Sequence, residues 1–479
     1  MKKLRTPVFW LIGLLTAFQL TAADKKPNFL FVYTDDQRFD AVGVVQREQG
    51  ERARFPWFTT PNMDRLASEG MRFRNAFVTL SLCAPSRAAF LTGRYNHLNG
   101  VANNHTPFPD NSVTYASLLR AAGYKTAYIG KWHMGGQRGQ RPGFDYSASF
   151  IGQGRYVDCD VEINGKPTPT TGWIDDVSNS FAIEFIKQNR DKPFAVIVGY
   201  KACHGPTTPP ERAKDRFADE KARPVPNLNV RAIYRSEDDE ATGNPKKAPK
   251  ADGQINLNYF RCISAADDNL GQLLKALDEL GIAENTVVVF TSDNGYYNGE
   301  HRLGDKRSAY EESLRVPMLV RYPKLVAKGS TSDAMVLNID IAPTFLELAG
   351  VTAPKEMQGR SWAPLLAGKK ADWRQSFLAE YFYEQNFVGT PTLVALRTTD
   401  AKLVKYPGHD EWTELFDLTK DPYEIKNLAN DPTHKSLLTR MNSEFDKQAR
   451  ATAYAIPADA DKPGSVNENK KGKKKKAAD

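Results

Sequence analysis

Four apolar runs with the character of β-strands alternate with helical stretches along this 479-residue chain. They occupy residues 29–33, 126–129, 194–198 and 286–290. Continuous apolar runs of this length are typical of strands that are buried on both faces of a sheet. Their alternation with helical segments predicts an α/β fold, with a large, mostly parallel sheet sandwiched by helices.

Each run is followed at once by polar or charged residues. These residues are Asp35-Asp36, Lys131-Trp132-His133, Cys203-His204 and Asp293-Asn294-Gly295. Open α/β sheets bind their ligands beyond the carboxyl ends of the strands. We therefore expect the four segments to converge on one crevice.

Helix signals lie between the runs, at residues 60–70, 114–123 and 258–281. Each of these segments begins at Thr or Asn and ends at Gly, which is typical of helix boundaries. Residues 205–253 are rich in Pro, Lys, Asp and Glu, and this composition predicts a surface excursion.

The pattern changes after residue 368. Residues 376–382, 393–398 and 402–406 have the character of short antiparallel strands, with a hairpin turn at 399–401. A helix is expected at 433–450. We therefore predict a main domain at 24–369 and a smaller C-terminal α+β subdomain at 370–460 that contains a short antiparallel sheet.

The N-terminus has the layout of a secretory signal peptide. Lys2, Lys3 and Arg5 precede an uncharged stretch that ends in small residues before Asp24. This layout predicts a leader at 1–23 and export through the secretion machinery, to the periplasm or the medium. A retained membrane anchor is the alternative, although the stretch is barely long enough to span a bilayer.

The formal charge of +8 is concentrated at the two ends of the chain. Three basic residues of the leader, with six lysines and one aspartate after residue 469, account for the whole excess. The body is neutral, which argues against a nucleic-acid partner. Residues 461–479 are expected to form a disordered, Lys-rich tail, and a weak hold on sulfated polyanions is the alternative.

Cys83 lies where a helix is expected to begin. Pro85 suits the first turn of a helix and Gly93 the residue after its last turn. A helix N-terminus favours an anionic group. The alternative for Cys83 is a buried structural cysteine. Among Cys159, Cys203 and Cys262 at most one disulfide can form, and Cys262 falls at the apolar spacing of a helix core.

The two acidic segments supply only oxygen ligands. Asp35, Asp36, Asp293 and Asn294 suit a hard cation such as Ca²⁺ better than zinc. Acidic pairs at strand ends also cap helices and turns, and that alternative stays open on the residues alone.

Residues 83–94, CAPSRAAFLTGR, match the pattern C-x-P-S-R-x-x-x-L-T-G-R in full. By this motif the chain resembles the formylglycine-dependent sulfatases of the alkaline-phosphatase-like superfamily. Further matching segments cover nearly the whole mature length; they are 28–36, 60–67, 130–133, 204–206, 292–295, 299–301, 305–306, 340–344, 415–418 and 421–422.

The resemblance implies a nucleophile and a metal site. A separate maturation enzyme would oxidise Cys83 to formylglycine, whose hydrated aldehyde attacks sulfur. Asp35, Asp36, Asp293 and Asn294 would hold Ca²⁺ together with a hydroxyl of the formylglycine.

The resemblance also implies roles for five cationic or proton-transferring residues. Arg87, Lys131 and Lys306 would surround the sulfate oxygens or anchor the aldehyde hydrate. His204 would protonate the departing sugar oxygen, and His133 would take a proton from the formylglycine hydroxyl.

We therefore expect an exported, calcium-dependent sulfuric ester hydrolase whose substrate is a sulfated glycan or oligosaccharide. Residues 141–156 resemble the corresponding segment of glycosaminoglycan and N-acetylglucosamine-6-sulfate sulfatases. Two alternatives are a phosphomonoester or phosphonate ester hydrolase of the same superfamily and a non-catalytic binder of sulfated glycans. Gln37 and Arg38 either orient the metal ligands or cap a turn, and His301 is expected to be a structural neighbour of Lys306.

Overall fold

The structure is a computed structural model that describes residues 25–235, 253–387, 389–458 and 460. The predicted leader at 1–23, the second part of the surface excursion and the Lys-rich tail at 461–479 lie outside the described residues. Within the described residues, no helix has both the length and the apolar character needed to cross a membrane.

A ten-stranded sheet forms the centre of the molecule, in the order β10-β2-β9-β8-β1-β7-β3-β4-β5-β6. Its strands are β1 Asn28–Thr34, β2 Met71–Phe77, β3 Lys125–Lys131, β4 Tyr146–Phe150, β5 Val161–Ile163, β6 Lys166–Thr168, β7 Phe194–Gly199, β8 Thr286–Ser292, β9 Met318–Arg321 and β10 Ser330–Leu337.

The four predicted strands are confirmed as β1, β3, β7 and β8. They lie next to one another and run parallel, and β4 extends this parallel block. β9 runs antiparallel between β8 and β2, and β5 and β6 form an antiparallel edge. The mostly parallel sheet is therefore confirmed, with an antiparallel strand inserted beside β8.

Helices cover both faces of the sheet. They are α1 Gly43–Gln49, α2 Pro61–Glu69, α3 Cys83–Thr92, α4 Asn96–Asn99, α5 Tyr115–Ala121, α6 Ile174–Asn189, α7 Leu257–Glu279, α8 Glu311–Leu314, α9 Ile341–Leu348, α10 Ala363–Leu366 and α11 Lys435–Thr452. The three predicted helices between the strands are α2, α5 and α7. Thr114 begins α5 with a capping box, in which its Oγ1 accepts a hydrogen bond from Ser117 N at 3.0 Å.

Alternate side chains of β1 enter two different cores. Phe29 and Phe31 pack with Phe345 of α9 on one face, whereas Leu30 and Val32 belong to the core under α2, α6 and α7 on the other. Burial on both faces explains why these strands are continuous apolar runs in the sequence.

A second, antiparallel sheet of four strands follows in the C-terminal part, in the order β11-β12-β13-β14. Its strands are β11 Ser376–Tyr381, β12 Leu393–Thr398, β13 Ala401–Lys405 and β14 Glu414–Asp417. Three were predicted; β14 was not. α11 covers this sheet, and Phe377, Leu403 and Phe416 belong to the same core as Phe345. The boundary between residues 369 and 370 stays a prediction.

Candidate active site

The predicted site residues meet at one edge of the large sheet. Asp35 and Asp36 follow β1, Asp293 and Asn294 follow β8, and His204 lies beyond β7. Lys131 ends β3 and His133 follows it, Cys83 and Arg87 lie on α3, and Lys306 comes from the segment before α8. The strands that deliver the acids and histidines are neighbours, so their carboxyl ends share one crevice.

Cys83 is the first residue of α3 and is fully buried. Its Sγ lies 3.3 Å from Asp35 Oδ1 and accepts a contact from Lys306 Nζ at 3.0 Å. Burial, with the negative charge of Asp35, raises the pKa of the thiol to about 12. The unmodified sulfur is therefore protonated at neutral pH and is a poor nucleophile.

Three buried carboxylates form the floor of the site. Asp35, Asp36 and Asp293 each offer an oxygen within 4.8 Å of the others. Asp36 has a left-handed backbone (φ 69°), which turns its N–H toward Asp293 Oδ1 at 3.2 Å. Burial and the charge of Asp35 raise the pKa of Asp293 to about 7. Nearby cations are needed to offset the repulsion between these buried carboxylates.

Asn294 completes the acidic cluster. Its Nδ2 donates to Asp36 Oδ1 at 2.6 Å, whereas its buried Oδ1 has no hydrogen-bond donor among the described residues. An unsatisfied buried carbonyl oxygen is costly unless it has a ligand. Three carboxylates and one amide oxygen are the donor set that Ca²⁺ prefers, so these residues fit a calcium ion.

Three buried cations face the carboxylates. Arg87 Nη2 lies 2.6 Å from Asp293 Oδ2 and 3.0 Å from Asp35 Oδ2. Lys131 Nζ contacts Asp35, and Lys306 Nζ contacts Asp36. Burial opposes the charge on Lys306, but Asp36 and Cys83 hold its pKa well above the ordinary value. In the same way Lys131 and Arg87 keep the pKa of Asp35 low despite burial.

The two histidines lie where the neutral form of the imidazole is favoured. His204 Nδ1 lies 2.6 Å from the Gly205 carbonyl, which assigns the proton to Nδ1 and leaves Nε2 facing Asp36 Oδ2 at 3.9 Å. His133 Nδ1 is buried without a partner among the described residues. Burial and then Lys131 hold the pKa of both imidazoles well below the usual range. A neutral imidazole is ready to accept a proton.

Two residues that hold the His204 segment in place through hydrogen bonds were not identified from the sequence. Asp175 accepts from the backbone N of Lys201 at 2.7 Å and of Ala202 at 2.8 Å. Tyr156 donates through its hydroxyl to the His204 carbonyl at 2.8 Å. Asp175 lies in the first turn of α6, where an acidic residue is ordinary, so the sequence carried no signal of this role.

Lys201 is a third residue that the sequence did not single out. Its Nζ donates to the Gln153 carbonyl at 2.8 Å and lies 4.8 Å from the Tyr156 ring. Burial and the nearby charge of Lys131 lower the pKa of this ammonium to about 8. It ties the loop at 153–156 to the end of β7.

Gln37 and Arg38 stabilise the loop after the first acidic pair. Gln37 N donates to Ser292 Oγ at 2.9 Å, and Arg38 Nη1 donates to Glu300 at 2.7 Å. His301 stacks on Tyr310, with ring centroids 3.7 Å apart. All four cysteines are free.

The comparison with protein families returns two overlapping matches. Residues 27–351 match the family described as Sulfatase. Residues 299–451 match the family described as N-sulphoglucosamine sulphohydrolase, C-terminal. The two matches together cover both sheets.

Two curated relatives are similar over most of the chain. An N-acetylglucosamine-6-O-sulfatase of Bacteroides thetaiotaomicron is 33% identical over 474 residues, covering 84% of this chain and 83% of the relative. The human N-acetylglucosamine-6-sulfatase is 28% identical over 492 residues, covering 90% and 86%.

A solved structure has the same fold with a TM-score of 0.80 and 30% identity. It covers 91% of this chain and 100% of its own, and it is described as a complex with its substrate D-glucosamine-2-N,6-O-disulfate. A phosphonate monoester hydrolase of Agrobacterium radiobacter shares the fold at a TM-score of 0.72 and 20% identity, covering 89% and 96%.

Proposed function

The chain belongs to the sulfatase family and is a sulfatase enzyme, and from this premise we propose that it is an exported hydrolase of sulfated carbohydrate. We propose as the substrate class N-acetylglucosamine 6-sulfate, either free or within a glycosaminoglycan chain. The names of the two curated relatives and the bound sugar of the solved structure support this choice.

One observation carries the mechanism. Cys83 opens α3 between a carboxylate and an ammonium, in a position where its own thiol stays protonated. A buried, protonated thiol cannot attack sulfur, whereas an aldehyde hydrate at this position offers hydroxyl groups to the same neighbours. We therefore propose conversion of Cys83 to formylglycine, which supplies a hydroxyl nucleophile.

Asp35, Asp36, Asp293 and Asn294 would hold Ca²⁺ in this proposal, and the unsatisfied Asn294 Oδ1 supports it. When bound, the ion would supply Lewis-acid stabilisation of sulfate charge and would lower the pKa of the attacking hydroxyl. Its charge would also balance the carboxylates that Lys131 and Lys306 contact.

Lys131 and Lys306 are proposed to bind the sulfate group. Arg87 is held by Asp35 and Asp293, so its role is to fix the floor of the site. The two lysines carry flexible, charged Nζ groups that can turn from the carboxylates to sulfate oxygens. Positive charges in a site shielded from water stabilise developing negative charge strongly.

The two histidines take the proton-transfer roles. His204 presents Nε2 at the more exposed side of the site, where the leaving sugar oxygen needs a proton. Because its imidazole is neutral in the free protein, we propose that the negative charge of bound sulfate raises its pKa and protonates it. His133, buried and neutral, is suited to take a proton from the nucleophile position.

The test uses protein produced together with a formylglycine-generating enzyme and loaded with Ca²⁺. We expect sulfate release from N-acetylglucosamine 6-sulfate, and none from a Cys83→Ala control of the same fold. A preference for aryl phosphate over aryl sulfate would instead establish the phosphoester alternative.

Export is proposed from the leader pattern at residues 1–23 alone. Expression of the full chain in a Gram-negative host should give periplasmic protein that begins at Asp24. Full-length protein retained in the membrane would contradict cleavage and support an anchor.

A further inference from the structure

A cleft of about 270 Å³ opens on the large sheet between α1, β2 and β9, and it shares no residue with the Cys83 site. Apolar side chains, among them Phe39, Val42 and Val45, form one wall. The charged groups of its lining are four arginines and one carboxylate; they are Arg52, Arg72, Arg74, Arg315 and Glu48. The lining therefore carries a net positive charge within a neutral body.

The cleft opens near the end of the sheet that carries the Cys83 site. Met318 in its wall pairs with Thr291 of β8, two residues before Asp293. Phe39, also in its wall, follows Asp36 by three residues. The register of β9 on β8 therefore places Met318 of the cleft close to the strand end that carries Asp293.

The guanidinium groups keep donors available for a ligand. Glu48 contacts Arg72 and lies 2.8 Å from Arg74 Nη2, so one carboxylate is shared by two arginines. Arg74 has a second contact, at 3.4 Å, with the exposed Asp333. One carboxylate inside the cleft does not balance the guanidinium groups around it.

The remaining two arginines complete the cleft. Arg315 donates to the Arg74 carbonyl and stacks on Phe39, with its guanidinium carbon 4.5 Å from the ring centroid. Arg52 is exposed at the rim and has no ion pair among the described residues. Guanidinium groups beside an aromatic ring suit a sulfated sugar. A sulfate group accepts paired N–H bonds from a guanidinium, and the C–H face of the sugar ring packs on aromatic carbon.

We propose that this arginine cleft is a second anion site that binds a sulfate group of the glycan other than the one being hydrolysed. The proposal rests on the proposed function, because it takes the substrate to be a sulfated chain. Its ligand is a sulfate ester on a sugar, and free inorganic sulfate is the other source of the same chemistry.

The experiment measures binding of a defined, multiply sulfated heparin-type tetrasaccharide by calorimetry at low salt, in a Cys83→Ala background that prevents turnover. We expect Arg52→Glu and Arg74→Gln each to weaken tetrasaccharide binding about tenfold, the scale of one lost charge-assisted hydrogen bond. Arg120→Glu makes the same charge change as Arg52→Glu on the exposed face of α5 and should change binding less than twofold.

Unchanged binding in both cleft variants, or an equal loss in Arg120→Glu, would overturn the proposal. Inorganic sulfate titrated alone is expected to bind far more weakly than the tetrasaccharide. Equal affinity for inorganic sulfate would assign the cleft to the free ion and also overturn the glycan assignment. Sulfate release by the unmutated, converted protein is measured separately, so failure of the proposed function is distinguishable from failure of the cleft.

Discussion

At the scale of single residues, burial sets the chemistry of the site. The Cys83 thiol, the two histidines and Lys201 all lie where desolvation disfavours their charged forms. Opposite charges reverse this effect only where a partner is in contact, as for Lys306 with Asp36. The same region of the molecule therefore holds paired charges and groups whose neutral form is favoured, side by side.

His204→Gln should separate leaving-group protonation from the rest of catalysis. We expect kcat on an alkyl sugar sulfate to fall about 100- to 10,000-fold, because its alkoxide needs a proton. An aryl sulfate with an acidic phenol should lose much less. His409→Gln, an exposed histidine of the C-terminal part, is the control. Equal losses on both substrates would contradict the assignment of His204 as general acid.

Lys201 gives a pH dependence whose sign is fixed. Its folded pKa of about 8 lies below the ordinary 10.5, so between these values the unfolded chain binds a proton that the folded chain has lost. The free energy of unfolding attributable to Lys201 should therefore rise with pH across this range, by up to about 3 kcal/mol. Urea unfolding of the wild type and Lys201→Met between pH 7 and 10.5 measures it. A difference between the two proteins that does not vary with pH would contradict the burial of this charge.

At the scale of elements, the C-terminal sheet holds the segment that carries Lys306. Lys402 of β13 is fully buried and donates to the Ala309 carbonyl at 2.7 Å. Its Nζ also lies 2.6 Å from Glu424 and 3.1 Å from Glu311. Residues 305–314 are thus fastened to β13 by a buried ammonium.

Lys402→Met should destabilise the fold by about 3–5 kcal/mol, because it leaves buried Glu424 without its cation and Glu311 with Arg397 as its remaining cationic partner. It should also lower kcat, since Lys306 loses its support. Lys405→Met, on the same strand but partly exposed, is the matched control and should cost far less. Thermal unfolding and sulfate release measure the two effects. Full activity in a folded Lys402→Met protein would show that β13 does not position Lys306.

Gly93 ends α3 in a left-handed conformation (φ 65°) against α9. An added Cβ would lie 3.2 Å from Ala342 Cβ and 3.3 Å from the Ile339 carbonyl. Gly123 has a similar positive φ but open space around the same position. Both Gly→Ala variants should lose about 1 kcal/mol to backbone strain, and Gly93→Ala should lose more. Equal unfolding free energies for the two variants would contradict the close packing of α3 on α9.

The sequence predicted the elements whose pattern is local. The four parallel strands, α2, α5 and α7 have continuous apolar runs or clear capping residues, and the structure contains them all. β14 is only four residues long, and its place in the sheet depends on pairing with β13. The antiparallel insertion of β9 depends likewise on distant partners, and no local pattern reports such pairing.

The residues of the site likewise divide into those that the sequence predicted and those that it did not. The motif at Cys83 and the polar strand ends are visible in the sequence, and the structure brings these residues together. Asp175, Tyr156 and Lys201 act through backbone contacts across more than 20 residues. Nothing in their local sequence distinguishes them from a helix-start acid, a core aromatic or a surface lysine.

At the scale of the whole molecule, residues from both sheets surround the acidic cluster and Cys83 of this sulfatase. The large sheet carries the proposed metal ligands and the two histidines, α3 carries Cys83 as the proposed nucleophile position, and the C-terminal sheet contacts the segment that carries Lys306. The central claim is that conversion of Cys83 to formylglycine turns this arrangement into an active enzyme.

The most direct measurement combines peptide mass spectrometry of the Cys83 segment with the rate of sulfate release from N-acetylglucosamine 6-sulfate in Ca²⁺. Preparations with different converted fractions are compared. We predict a rate proportional to the converted fraction, with no activity at zero conversion. Full activity in unconverted protein, or no sulfate release from fully converted protein, would contradict it.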